Sequence, residues 1–256
     1  MIKPKIIVLS GYGLNCEEET AYGFQLAGGD AEIVHINDII DKIKKLDDYQ
    51  ILGIPGGFAF GDHTGSGKAY ANKIKNHLTD QLNSFIESDK LVIGICNGFQ
   101  ILTNCGLLPG ALTFNESARY INRWIDLKVV NKSPWLKKIK NLSLPVAHGE
   151  GKYYLPDKEL SDLKKNNQVA VKYIKGEMYK EYGLAYNPNG ALSDIAGITD
   201  KTGRIFGLMP HPDRALFFTQ LPHWTRLKER YLRNGKDLPE HGPGLQIFKN
   251  GVDYFK

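Results

Sequence analysis

Short apolar runs alternate with helical patterns over the first hundred residues of this chain. The runs cover residues 6–10, 31–36, 51–55 and 91–95, and each is five or six residues long. Strands that are apolar throughout are buried on both faces, as in a parallel sheet covered by helices. Beyond residue 120, further strand-like segments follow without long helices between them. We therefore predict an α/β fold with an open, mostly parallel sheet, helices on both faces and added antiparallel strands.

The same patterns predict the positions of individual elements. Helical periodicity indicates one long helix at about 71–88, a second at 97–104 and a last one at about 243–255. The later strand-like segments cover residues 123–130, 142–147, 169–174 and 204–209.

Composition excludes several classes of protein. Hydrophobic residues make up 42% and charged residues 24% of the 256 positions, which is typical of soluble globular chains. No apolar run approaches the roughly 18 residues that a membrane helix needs, and the N-terminal run is too short for a secretory signal. The three cysteines, at positions 16, 96 and 105, fit neither a disulfide framework nor a zinc-binding spacing. We therefore expect a cytoplasmic protein with no metal site and no membrane association.

The formal net charge of +5 lies in the last part of the chain. Residues 201–256 hold ten basic and five acidic side chains, whereas residues 1–200 are neutral. Much of the excess lies in WTRLKERYLRNGK at 224–236, where helical spacing predicts a short amphipathic helix. A solvated surface and a docking site for a partner are both open interpretations. Nucleic-acid binding is disfavoured because no recognised motif accompanies the basic residues.

The segment LVIGICNGFQIL provides the strongest chemical signal. An apolar strand ends at Cys96 and a helix begins at once, with Gly94 and Gly98 two residues away on either side. This is the cysteine version of the nucleophile elbow, a tight strand-to-helix turn whose flanking glycines avoid collisions with neighbouring elements. The helix N-terminus favours a thiolate, and the backbone N–H of Asn97 would face the carbonyl oxygen under attack. The alternative is a cysteine that is merely buried; we interpret Cys105 as packing and assign Cys16 no role.

A second glycine turn follows another predicted strand, in IPGGFAFGD at 54–62. Gly56 and Gly57 would let backbone N–H groups approach a ligand, as the other half of an oxyanion hole requires. A phosphate-binding loop is the competing interpretation, but neither glycine-rich phosphate motif is present.

Seven histidines compete for the role of general base. Two of them, His148 in PVAHGEG and His211 in LMPHPDR, lie at predicted strand ends, where active residues of open α/β sheets gather. Pro212 keeps the chain extended, so His211 and Asp213 can face the same side, and the carboxylate can hold the imidazole for deprotonation of a thiol. We favour His211 as the base, and His148 stays open.

The motifs CNGFQ, PGGF-x-x-GD, PVAHGEG, NPNGALSDIAGI and MPHPDRA all occur in this sequence. Together they resemble the glutaminase subunits of phosphoribosylformylglycinamidine synthase, which are class I (triad) glutamine amidotransferases with a flavodoxin-like sheet. The resemblance covers about residues 5–218 and implies one amidotransferase domain over residues 1–256, with a C-terminal extension at about 219–256. The site residues that it implies are Cys96, His211 and Asp213 as the triad and Gly56, Gly57, Asn97 and Gln100 around the oxyanion hole and the glutamine pocket.

The resemblance also implies an activity and partners. Cys96 would form a thioester with the side-chain acyl group of glutamine and release ammonia for purine biosynthesis. A separate synthetase subunit, which would carry ATP and Mg, would use that ammonia to convert formylglycinamide ribonucleotide to its amidine; a third small subunit can join such complexes. This chain itself would need no cofactor.

Three features depart from the family pattern. Asp213 stands where the triad usually has Glu, HTGSGKAYA replaces a segment that commonly bears arginine, and the region beyond about 219 exceeds the short subunit's usual end. Two alternatives therefore remain in view: another cysteine hydrolase of the same fold and a catalytically silent regulatory subunit. Ammonia release from glutamine distinguishes them from the amidotransferase.

Overall fold

A nine-stranded sheet forms the centre of the protein. The computed structural model describes residues 3–256, with the side chains of residues 181 and 182 outside that description. The strands are β1 (Lys5–Ser10), β2 (Asp30–His35), β3 (Ile51–Ile54), β4 (Leu91–Ile95), β5 (Ala111–Thr113), β6 (Ile121–Val129), β7 (Asn141–His148), β8 (Lys152–Tyr154), β9 (Val169–Ile174), β10 (Ile195–Thr199) and β11 (Ile205–Leu208). The helices are α1 (Glu17–Leu26), α2 (Ile36–Ile40), α3 (Lys68–His77), α4 (Thr79–Glu87), α5 (Asn97–Asn104), α6 (Asp157–Lys165), α7 (Glu177–Tyr182), α8 (Trp224–Arg233) and α9 (Leu245–Asp253).

The strand order confirms the predicted α/β architecture. The order is β2-β1-β3-β4-β11-β10-β9-β6-β7, and β5 pairs separately with β8. Neighbours from β2 to β11 are parallel, and those from β11 to β7 are antiparallel. Strands β3, β4 and β11 are buried at every position, as their uniformly apolar sequences predict. Because only β10 and β6 run in the opposite direction within this described sheet, the carboxyl ends of the other strands point the same way.

The antiparallel end of the sheet curls back over those carboxyl ends. β7 is four positions away from β11 in the strand order, yet the backbone N–H of His211, just after β11, donates to the carbonyl of Pro145 in β7 at 2.8 Å. The thiol of Cys96, just after β4, donates to the carbonyl of Ala147 at 3.7 Å. The curl therefore brings the ends of β4, β7 and β11 together, which is what positions the site.

Two predicted elements differ in the structure. The single helix expected at 71–88 is two helices, because Leu78 leaves the helical conformation (φ −126°, ψ 6°) and is buried, so that the chain bends there. Between β8 and β9, where no long helix was expected, α6 forms with Leu160 and Leu163 packed on the core and basic residues in its last turn. Its apolar positions are three apart within a mostly charged stretch, which is a weak periodic signal.

The last helix, α9, belongs to the core. Phe248 packs edge-on against Phe24 of α1 with ring centroids 4.9 Å apart, and burial of such a ring stabilises the fold by about 1.5–3 kcal/mol. The side chain of Asn250 donates to the carbonyls of Trp135 and Lys137. By contrast, α8 has no buried residue. Among the described helices, none is long and apolar enough to cross a membrane.

Candidate active site

The turn at Cys96 has the geometry of a nucleophile elbow. Cys96 adopts φ 51° and ψ −104° between β4 and α5, a conformation that L-residues rarely adopt and that stores about 1–3 kcal/mol of strain. A Cβ at Gly98 would lie 1.9 Å from the carbonyl oxygen of Ile54, and one at Gly94 would lie 2.6 Å from the carbonyl oxygen of Gly98. Both glycines are therefore required sterically, as predicted from the sequence.

His211 and Asp213 form a buried pair beside the elbow. Nδ1 of His211 lies 3.3 Å from one carboxylate oxygen of Asp213 and 3.4 Å from the other, and both side chains are about 1% exposed. Nε2 of His211 is also buried and has no hydrogen-bond partner among the described residues. The pair thus has the predicted arrangement: the carboxylate accepts from Nδ1–H, which leaves Nε2 available to a thiol.

The charge state of His211 follows from its neighbours. Burial disfavours the imidazolium, but the Asp213 carboxylate and the Cys96 sulfur outweigh burial and raise the pKa of His211 to about 9. An imidazole with a raised pKa is a stronger proton acceptor. His211 is therefore suited to accept a proton from the Cys96 thiol.

His148 also lies near the Cys96 thiol, but polar side chains engage both of its ring nitrogens. Asn115 Oδ1 lies 3.0 Å from Nδ1 of His148, and Asn189 Nδ2 lies 3.4 Å from Nε2. Because an amide oxygen only accepts and an amide NH₂ only donates, the neutral Nδ1–H tautomer is the one that fits both contacts. Burial and the neighbouring His211 lower the pKa of His148 to about 3. The structure therefore favours His211 over His148 as the base.

The glycine loop after β3 packs directly against the triad. Gly57 has φ 148°, and a Cβ there would lie 2.4 Å from the carbonyl oxygen of Gly13. A Cβ at Gly56 would lie 2.6 Å from Cε1 of His211. The Asn97 side chain holds this loop to the elbow, because its Oδ1 accepts from the N–H of Ala59 at 3.0 Å. The structure thus brings together Gly56, Gly57 and Asn97. Their role in an oxyanion hole stays a prediction.

Gln100, expected to line the glutamine pocket, uses both ends of its amide inside the protein. Its Oε1 accepts from Nδ2 of Asn97 at 2.7 Å, and its Nε2 donates to the carbonyl of Glu150 at 2.7 Å. The side chain is 4% exposed. Gln100 therefore ties the first turn of α5 to the segment after β7, and direct contact with glutamine stays a prediction.

Cys16, to which no role was assigned from the sequence, lies directly behind the triad. Its Sγ accepts from the Arg214 guanidinium at 3.0 Å, and the ligand atoms of Cys16, His211 and Asp213 lie within 4.8 Å of one another. Burial, with the nearby Asp213 carboxylate, raises the pKa of Cys16 to about 12. All three side chains are of types that ligate metal ions. The sulfur of Cys16, however, already has the positively charged Arg214 guanidinium as its partner. Cys105 contacts the Ala71 carbonyl at 3.8 Å, in keeping with packing.

Asn115 and Asn189 were also missed as parts of the site. Asn189 lies in NPNGALSDIAGI, which the sequence indicated only as part of a resemblance, and Asn115 lies in no motif. Asparagine is so common in turns that neither position carries a signal of its own. Taken together, the described residues supply a nucleophile, an oriented base and backbone N–H groups around one turn, which is what acyl transfer requires.

Comparison with known proteins agrees with this geometry. The model of the CobB/CobQ-like glutamine amidotransferase domain matches residues 3–255. "Phosphoribosylformylglycinamidine synthase subunit PurQ" from Methanococcus maripaludis is 51% identical over 272 residues, covering 100% of this chain and 99% of the relative. The protein of the same name from Dehalococcoides mccartyi is 42% identical, covering 99% of this chain and 98% of the relative.

A solved structure extends the similarity to three dimensions. One chain of "Structure of PurLQS from Thermotoga maritima" superposes with a TM-score of 0.75 at 30% sequence identity, and 100% of both chains is covered. The elbow, the buried histidine–carboxylate pair and these full-length similarities lead to one conclusion. The chain belongs to the CobB/CobQ-like glutamine amidotransferase domain family and, within it, to the PurQ subunits of phosphoribosylformylglycinamidine synthase.

Proposed function

We propose that this chain hydrolyses glutamine to glutamate and ammonia through a thioester on Cys96, as the glutaminase subunit of phosphoribosylformylglycinamidine synthase. The observation that carries the proposal is the elbow itself, where Cys96 lies at the N-terminus of α5 beside a histidine whose Nδ1 faces a buried carboxylate. Relatives that match over nearly their whole length carry the name of that enzyme's subunit.

In the first half-reaction, Nε2 of His211 takes the Cys96 proton as Sγ attacks the side-chain amide carbon of glutamine. The N–H groups of Gly57 and Asn97 stabilise the negative oxygen of the tetrahedral intermediate. The C–N bond then breaks, and the imidazolium returns its proton to the leaving nitrogen, which departs as ammonia. Asp213 keeps Nδ1 protonated throughout and stabilises the imidazolium.

In the second half-reaction, His211 takes a proton from water, and the resulting hydroxide attacks the thioester carbonyl. The C–S bond breaks, glutamate leaves, and the proton on His211 returns to Cys96. The cycle consumes one glutamine and one water and needs no cofactor in this chain.

The ammonia is delivered to a synthetase subunit that binds ATP and Mg and converts formylglycinamide ribonucleotide to the amidine in purine biosynthesis. A third small subunit joins the assembly. The similarity to a chain of the structure of PurLQS from Thermotoga maritima supports the partner part of this proposal.

The direct test is ammonia release from glutamine by the purified chain, alone and with its cognate synthetase. We expect stoichiometric glutamate and ammonia in at least the assembled enzyme. A different cysteine hydrolase would release no ammonia from glutamine in either case, and a silent regulatory subunit would behave in the same way.

We also propose that α8 docks on an acidic surface of the synthetase. The helix is amphipathic, lies outside the core and has a basic face. Two of its arginines, Arg226 and Arg230, approach Glu177 at 3.7 and 3.9 Å, so part of the charge is balanced within the chain. Charges at an interface rim chiefly change association rate and salt sensitivity.

Replacement of Arg226, Lys228, Arg230 and Arg233 by Gln should therefore weaken assembly at low ionic strength and flatten its salt dependence. Sedimentation of the mixed subunits at two salt concentrations measures both effects. Unchanged assembly in the quadruple variant would mean that α8 is only a solvated surface helix.

A further inference from the structure

The glycine loop after β3 is held by the segment between β1 and α1. The N–H groups of Phe58 and Phe60 donate to carbonyls of residues 12–13 at 2.8 Å each, and the N–H of Cys16 donates to the carbonyl of Gly56 at 3.1 Å. Cys16 is also the residue directly before α1. Three backbone hydrogen bonds therefore join the loop to a segment that ends at this cysteine.

The side chain of Cys16 contacts the same loop. A Cβ at Gly56 would lie 3.3 Å from Sγ of Cys16 and 2.6 Å from Cε1 of His211, so the thiol and the imidazole both crowd this point of the backbone. The thiol donates to Oδ1 of Asn15 at 3.9 Å. Burial, with the nearby Asp213 carboxylate, raises the pKa of Cys16 to about 12, so its thiol stays neutral and is not a second nucleophile. The position of the loop relative to His211 therefore depends on the position of this sulfur.

Arg214 fixes that sulfur and directly follows the triad carboxylate in the chain. Its Nη2 donates to Sγ of Cys16 at 3.0 Å, and its Nε lies 3.7 Å from a carboxylate oxygen of Glu19 in α1. Burial opposes the charge of Arg214, but the Cys16 sulfur and the Asp213 carboxylate outweigh burial and raise the pKa of the guanidinium. Arg214 is therefore a cation that joins the start of α1 to the segment after β11.

The Asp213 carboxylate is placed where such a cation is needed. It is 1% exposed, and among the described side chains only the His211 ring is hydrogen-bonded to it. Within the same residues, its Oδ1 accepts no hydrogen bond. A buried carboxylate with one partner is costly to keep ionised, and a nearby positive charge lowers that cost. The guanidinium supplies this charge while it is bonded to Cys16, so it does not compete with His211 for the carboxylate oxygens.

We propose that Cys16 and Arg214 form a brace that positions the glycine loop against His211 and keeps Asp213 ionised. Both are positioning residues: the sulfur acts through Gly56, and the guanidinium acts through Asp213. The inference rests on the proposed glutaminase activity and gives a role to two side chains that take no part in its proton transfers.

A double-mutant cycle in the assembled enzyme tests whether the two residues act as one unit. Cys16→Ala, Arg214→Gln and the double variant are compared in kcat and KM for ammonia release from glutamine. We expect each single variant to lose about tenfold or more in kcat, with KM changing less than about threefold, because the brace acts on the reacting groups. Since both changes break the same contact, the loss in the double variant should be clearly smaller than the product of the single losses.

Two matched controls should keep the wild-type kcat. Cys105→Ala removes another free thiol, and Arg204→Gln removes an arginine that forms a salt bridge with Asp89 at 2.9 Å.

The pH profile of kcat/KM separates an electrostatic role from a merely structural one. The titratable groups around the His211 ring are Asp213, Cys96, Cys16 and His148, with Arg214 acting beside the first and third. Loss of the Arg214 charge favours the imidazolium, so the acidic limb of Arg214→Gln should move to higher pH by about half a unit or more. Cys16→Ala removes a neutral group and should leave the limb in place. A mere loosening of Asp213 would move the limb to lower pH.

Full kcat in either single variant, or a double variant whose loss equals the product of the single losses, would overturn the inference. An acidic limb that stays in place or moves to lower pH in Arg214→Gln would do the same. If Arg214→Gln does not fold, as judged by circular dichroism, Arg214→Lys replaces it. That variant keeps the charge but not the fork of donors, so it should keep the limb and lose severalfold in kcat, and full kcat there counts against the brace. Failure of the proposed function looks different, because wild type itself would then release no ammonia from glutamine.

Discussion

Two buried histidines lie near Cys96, and the protein holds them in opposite states. His211 is 1% exposed and His148 is 2% exposed, yet the pKa of His211 is raised to about 9 and that of His148 is lowered to about 3. Burial acts on both rings in the same direction. The difference lies in their polar neighbours: a carboxylate and a thiol beside His211, and two neutral amides beside His148.

The comparison shows how one site separates a chemical role from a structural one. His211 has one nitrogen facing Asp213 and the other without a partner in the described part of the chain, so it can exchange a proton. His148 has both nitrogens engaged and stays neutral, so it can only hold the turn that carries Glu150. Both histidines lie at strand ends, so their positions in the sequence could not show which one is the general base.

The largest expected effect is loss of the base. His211→Ala should reduce kcat for glutamine hydrolysis by at least about a thousandfold, because removal of a triad histidine removes proton transfer in both half-reactions. His148→Gln keeps a polar side chain between Asn115 and Asn189 and should reduce kcat about tenfold or less. Steady-state ammonia release from both purified variants measures this, and a more severe defect in His148→Gln would reverse the assignment of the base.

Asp213→Asn should lie between these two. The amide still accepts a hydrogen bond, but it loses the charge that opposes the burial of the imidazolium, so the pKa of His211 should fall. We expect kcat to drop about ten- to a thousandfold. The acidic limb of the pH profile of kcat/KM should also move to lower pH; a profile with unmoved limbs would show that Asp213 does not set the state of His211.

The smallest expected effect is on stability and appears at acid pH. Because the pKa of folded His148 lies near 3 and its ordinary value is 6.5, the unfolded chain binds a proton below pH 6.5 that the folded chain does not. Stability is therefore lost as pH falls from about 6.5 towards 3, by about 1.5 kcal/mol between pH 6.5 and 5.0 from this group.

The comparison of wild type with His148→Gln isolates that contribution. Urea unfolding at the two pH values should give a stability difference that shifts by this amount in favour of the variant at pH 5.0. The contribution of His211 has the opposite sign and another window, since a raised pKa stabilises below pH 6.5 and is lost as pH rises towards 9. A pH-independent difference between wild type and variant would mean that His148 titrates normally.

Local features of the sequence predicted the sheet and the elbow well. Uniformly apolar runs became β3 and β4, and the glycines around Cys96 proved necessary on steric grounds. These features depend on neighbouring residues and on a period of two or 3.6, which a sequence displays directly. The pairing of His211 with Asp213 was likewise accessible, because only Pro212 separates them.

Long-range contacts could not be predicted in the same way. Cys16 meets Arg214 across 198 positions, and Asn189 meets His148 across 41. The second contact depends on the curl that returns β7 to the end of β11, and the first depends on which loops meet at the carboxyl edge of the sheet. No run or spacing in the sequence encodes either. The break at Leu78 was missed for a related reason: periodicity continues through it, and only packing against the core requires the bend.

The division of labour between this chain and its synthetase is the central claim, and Cys96→Ser tests it most directly. The assembled variant enzyme is supplied with either glutamine or an ammonium salt, and formation of the amidine product is measured in each case. We predict that glutamine-dependent synthesis is lost while ammonium-dependent synthesis is retained, because Cys96 acts only in freeing ammonia. Retained synthesis from glutamine, or loss of both activities in a folded and assembled variant, would contradict the account.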